Sequence, residues 1–149
     1  FARINSGGND TNGYLLSGEK VVSEGENGPN IFGVTFSRVG GANLYQFTYR
    51  MYQSEDTAIQ LGWVDGDGTN GGVTALYFKE MPAMGEGGLV WNAFGGLTYE
   101  TDNSKINLTG GVKLSYPISN GFSIDGTWWH LRQGGSSGNF FTIGVSVVR

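Results

Sequence analysis

From residue 31 onward, apolar and polar positions alternate in short runs that Gly, Asn, Asp, Ser and Pro interrupt. The clearest run is 105–116. Ile106, Leu108, Val112, Leu114 and Tyr116 fall on one parity, and Lys105, Asn107, Thr109, Lys113 and Ser115 on the other. Successive side chains of a strand point to opposite faces, so this pattern predicts a strand with one apolar and one polar face. The same reading predicts strands over 31–39, 42–52, 57–64, 73–81, 89–100, 121–132 and 139–148, with Phe94 out of pattern. No stretch carries a helical period of comparable strength. Consecutive strands joined by short turns predict an all-β fold, an antiparallel up-and-down β-barrel of about eight strands. Residues 1–29 read as a polar Gly/Asn-rich leader with a weak strand at 13–23, and 30–149 as the barrel domain.

Alternation alone does not say what covers the apolar face. A soluble barrel encloses it, whereas a transmembrane barrel turns it to lipid and fills the lumen with the polar set. Charged residues make up only 15% of the chain, against roughly a quarter in soluble domains. The predicted strands, about nine to twelve residues each, suit a tilted bilayer span. Gly62, Gly96, Gly111 and Gly144 punctuate the polar parity, which fits a narrow interior. Tyr52, Trp63, Trp91, Tyr99 and Tyr116 stand near strand ends, where interfacial aromatics belong. These features favour the transmembrane reading. Arg50, Lys105, Lys113 and Asp125 would then line the lumen, where charges must pair or stay hydrated. The alternative is a secreted soluble barrel or sandwich that binds an apolar or glycan ligand, or self-assembles through its strand edges.

Candidate chemistry adds little. A net charge of −4 disfavours a nucleic-acid partner. The absence of cysteine removes disulfides, thiolate catalysis and cysteine-ligated zinc. Residues 66–71 match GxGxxG, but a strand rather than a helix is predicted to follow, so a dinucleotide fold is not indicated. Asp65, Asp67 and Asn70 carry oxygens suited to calcium, yet Leu76 stands where an EF-hand needs Glu. His130 is the only histidine. Asp125, Ser136 and Ser137 nearby make a chance constellation rather than a triad. We therefore expect no enzyme, no metal and no cofactor.

Length, strand count and the glycine and aromatic content resemble those of the small eight-stranded bacterial outer-membrane proteins. Those proteins end in a strand bearing a glycine, a hydrophobic residue three positions later and an aromatic two further on. Gly144 and Val147 match that spacing, and Arg149 takes the aromatic's place. The resemblance implies an outer-membrane barrel with a structural, interaction or minor pore role. Its partners would be the lipid bilayer and other envelope proteins.

Overall fold

The computed structural model describes residues 2–6, 9–39, 41–67, 71–84, 88–102, 104–119, 122–133 and 136–147. They form ten strands: β1 (Ala2–Ser6), β2 (Asn9–Gly25), β3 (Gly28–Val39), β4 (Ala42–Ser54), β5 (Thr57–Gly66), β6 (Gly72–Met84), β7 (Leu89–Glu100), β8 (Lys105–Ser119), β9 (Phe122–Gln133) and β10 (Ser136–Val147). Each pairs antiparallel with its sequence neighbours, and β1 pairs with β10 to close the barrel. The all-β antiparallel barrel expected from the alternation is what the chain forms, but with ten strands among the described residues where about eight were expected. A hydrogen-bond row that starts at Val21 crosses Ile31, Arg50, Gln60 and Leu76 and returns to β2 at Asn9, twelve residues away. Such a stagger goes with strands inclined at roughly 40° to the barrel axis.

The segment read as a leader is β1 and β2. Its polar, glycine-rich composition hid it, because the lumen side of a strand is polar and here the outward side is only partly apolar. Tyr14, Leu16 and Lys20 pair across the sheet with Arg38, Phe36 and Phe32. β1 reaches only Gly13 of β2, so among the described residues the lower part of β2 has a partner on its β3 side alone. In hydrocarbon such an edge is tolerated only when protein covers it.

Strand ends also differ from the expected turns. β6 runs past Pro82 and β8 past Pro117, beyond the strand ends expected at 81 and 116. Each proline sits beside a register shift, Met81/Met84 and Pro117/Ser119, where a missing N–H breaks no regular ladder bond. Shifts at Val21/Ser23 and Tyr52/Ser54 lie at the same rim, that of the β2–β3, β4–β5, β6–β7 and β8–β9 connections. We call this the lower rim. Bulges at barrel rims terminate pairing and raise the local twist.

The barrel is apolar outside and polar inside. Ile106, Leu108 and Leu114 are 66%, 59% and 44% exposed, while Asn107 between them is 2% exposed. The outward set continues around every full-length strand through Phe47, Leu61, Tyr77, Leu97, Ile124 and Ile143. Among the described residues the buried hydrophobic set is Ala58 alone, and the buried polar set is Gln60, Thr74, Glu100 and Asn107. Outward charges on described side chains, Lys20, Arg38, Asp65 and Lys79, lie no more than five residues from a strand end.

Candidate functional site: the polar lumen

Residues of β2 to β9 line a cavity of about 570 Å³ toward the upper rim. Gln46, Gln60, Thr74, Thr98, Asn107, Thr109 and Thr127 supply its polar lining, and Leu44, Leu76, Phe94 and Trp129 its apolar lining. A smaller cavity of about 80 Å³ lies toward the lower rim, against Arg50, Tyr52, Asp56, Ala58 and Glu80. Phe78 and Lys113 border both cavities and so stand between them.

Arg50 is fixed from three sides. Its Nε and Nη2 donate to Gln60 Oε1 at 3.1 and 2.9 Å, which follows from their being cross-strand partners. Nη2 also donates to Glu19 Oε1 at 3.0 Å, and the guanidinium lies 5.0 Å from the Phe78 ring centroid. Glu19 reaches Arg50 from β2 by crossing β3 at Gly33. A Cβ there would run into Thr48 Oγ1 and lie 3.5 Å from Glu19 Cγ. Glycine at this position keeps the crossing open.

Asp125 ties three strands together. Its Oδ1 accepts from Ser115 on β8 at 2.7 Å and from Ser123 at 3.1 Å, and its Oδ2 accepts from Ser146 on β10. Lys113 is close enough to act on it electrostatically. Asp125→Ala would strip one acceptor from three part-buried hydroxyls. The expected cost is about 2 kcal/mol of unfolding free energy in micelles, read from urea titration, with Ser146→Ala costing less than half as much.

Of the other charged residues expected in the lumen, Lys105 is exposed at the upper rim, opposite Glu100 in the register. Of the expected interfacial aromatics, Trp63 and Tyr99 point outward near the upper rim, and Trp91 and Tyr116 take the outward parity near the lower one. Tyr52 does not point outward. It shares the parity of Arg50 and lines the lower cavity, which the alternation over 42–52 already implied.

At the lower rim Lys79 and Ser54 both donate to Asp56, in the β4–β5 turn. The Lys79 bond first, then that of Ser54, holds this carboxyl below its ordinary value of 3.8. A folded-state value below the unfolded one stabilises the fold above the unfolded value, and the contribution is lost as pH falls through the folded value. The expected result is an unfolding midpoint that drops below about pH 4 and drops less steeply in Lys79→Met, read by urea titration across pH.

Asp125 faces the lumen, whereas His130 takes the outward parity and pairs its Nδ1 with Asn139 Oδ1 at 3.0 Å. The two cannot share a proton, so Asp125 and His130 do not come together as a triad would need. Ser136 and Ser137 side chains fall outside the described residues. In the loop read for calcium, Asp65 accepts from the Gly66 amide at 2.8 Å and Asp67 from Asn43 at 2.8 Å. Asn70 falls outside the described residues.

No family model matches the chain, and no curated protein matches it. Among solved structures, one similar chain is a KdgM porin. It aligns over 99% of this chain and 96% of its own, with 11% identity and a TM-score of 0.48.

Sequence reasoning missed the aromatic content of the lumen. Phe78 stacks on Phe94 at 5.3 Å, and Trp129 on Phe140 at 5.1 Å with planes 6° apart. The signal was present as aromatics on the polar parity, Phe94 most visibly. It blurred the alternation of 73–81, where Leu76 and Phe78 also turn inward.

Proposed function

We propose that this chain is a transmembrane barrel of the bacterial outer-membrane kind, whose narrow polar lumen gives it a minor, porin-like role. One observation carries the reading: the bulky apolar residues of 105–116 lie on the outside while Asn107 is enclosed. An outer face of this kind in water would expose leucine, isoleucine and aromatic rings around the whole circumference, far beyond the patches that soluble monomers carry. A bilayer removes that cost. Charges near the strand ends, a central outward belt without them among the described side chains and inclined strands all fit a hydrocarbon slab. The soluble barrel or sandwich needs the same residues enclosed, and they are not. The partition at Phe78 and Lys113 supports a poorly conducting pore.

Extraction and refolding test the reading. The protein is expected to require detergent and, once refolded, to migrate differently on gels before and after boiling. A protein that stays monodisperse without detergent would overturn it.

A further inference from the structure

We propose that the upper cavity binds an aromatic carboxylate, its ring against the inner aromatic row and its carboxylate on Lys113. This rests on the lumen reading above and adds a ligand class to it. The cavity's volume of about 570 Å³ lies within the usual range of small-molecule sites.

The aromatic row follows from the register. Phe78 on β6, Phe94 on β7, Gly111 on β8, Trp129 on β9 and Phe140 on β10 are successive cross-strand partners. Four of these five are aromatic, on the face where the alternation places polar residues. Phe78 stacks on Phe94 and Trp129 on Phe140. Gly111 brings no side chain between the two pairs. Phe78, Phe94 and Trp129 are only half-buried and line the cavity, with Leu44, Val64 and Leu76 toward the upper rim. Their remaining accessible surface faces the lumen. An apolar guest that covers this surface removes it from water, and a flat one can also stack.

The floor of the cavity adds a charge. Lys113 is half-buried, borders the cavity and lies two residues below Gly111 on the same face of β8. That is about 7 Å along the strand, a span that one aryl carboxylate and its hydrogen bond to the ammonium can bridge. Among the described residues no hydrogen bond or ion pair reaches the Lys113 ammonium. Asp125 acts on it through space, while its own oxygens accept from Ser115, Ser123 and Ser146. Arg50, by contrast, is held by Glu19 and Gln60. The cavity's carboxylate, Glu100, stands at the other end. Its partner in the register is Lys105, eight residues from Lys113 on β8, or about 26 Å along the strand. A guest thus meets aromatic walls over an unpaired cation. In such a partly desolvated place a carboxylate is attracted more strongly than at an open surface.

The test uses the full chain refolded in nonionic micelles, with the gel shift on boiling read on the same sample. Naphthoate, its neutral amide and the hydrophilic anion glucuronate are titrated by calorimetry, each corrected by titration into empty micelles. Saturable binding of naphthoate is expected, about tenfold tighter than that of the amide and weakened by salt, with glucuronate weaker. Lys113→Met should bring naphthoate to the level of the amide, and Lys113→Arg should retain the difference. Phe94→Leu should weaken both aryl ligands together, by roughly fivefold. Variants are compared where they keep the gel shift, and the three ligands on the unaltered protein decide the matter if they do not. Absence of naphthoate saturation in gel-shift-competent protein would overturn the proposal alone. So would equal binding of naphthoate and its amide, tighter binding of glucuronate, or a folded Lys113→Met that leaves naphthoate unchanged. An unaltered protein without the gel shift would overturn the membrane reading and this proposal with it.

Discussion

Leu61→Arg is expected to destabilise the barrel by about 2–4 kcal/mol when it is folded into lipid vesicles. Leu61 points outward from the middle of β5 and is 45% exposed. In hydrocarbon its guanidinium must shed water or drag water and headgroups inward, and the cost is greatest at the bilayer centre. Arginine at Tyr116, toward the lower rim, should cost only about 0–1 kcal/mol by the same depth rule. Urea titration of the vesicle-embedded protein measures both. A water-exposed outer face would give the opposite result, since surface substitutions usually stay within about 0.5 kcal/mol.

Gly96→Ala is expected to abolish the folded form or cost at least about 3 kcal/mol. Gly96 faces inward on β7, where an added Cβ would run into the Ala75 carbonyl oxygen and lie 2.9 Å from Leu76 Cα. Both atoms belong to the backbone of β6, which is hydrogen-bonded in the ladder and cannot withdraw as a side chain would. Gly144→Ala is the matched control. It shares the inward parity, but an added Cβ there meets nothing within 4 Å. Its expected effect is within about 0.5 kcal/mol. The two variants separate a requirement for closeness from a general preference for small residues in the lumen. The yield of the boiling-sensitive band reports both.

The architecture was legible because the alternation over 42–52 and 105–116 is strict and each run is longer than a typical soluble strand. Which side of each strand faces outward was not legible from parity. It needed charge content, strand length and inward glycines together, and these lean one way without deciding. The first strand escaped, and β2 was legible only as a weak strand over 13–23, because β2 carries Glu19 and Lys20 amid short polar runs and its side chains from Tyr14 to Glu24 are exposed on both faces. A period-two reading looks for contrast between faces, and β2 offers little.

The site was legible in part. Arg50 and Asp125 could be placed on the polar parity, but their partners could not. Glu19 meets Arg50 across an intervening strand, 31 residues away in sequence. Ser146 meets Asp125 from 21 residues away. Both contacts depend on register and stagger, which no local pattern encodes. Lumenal aromatics such as Trp129 and Phe140 could be suspected only as breaks in the pattern.

Because the chain has no cysteine, single nitroxide labels can be placed along β8 from Leu108 to Ser115 in vesicle-embedded protein, and their collisions with oxygen and with a water-soluble nickel chelate compared. Labels at Leu108, Val112 and Leu114 are expected to meet oxygen dissolved in the lipid and to be shielded from nickel. Labels at Thr109, Lys113 and Ser115 should be far less accessible to oxygen. The reverse alternation, or nickel access at Leu108, Val112 and Leu114, would contradict the inside-out arrangement.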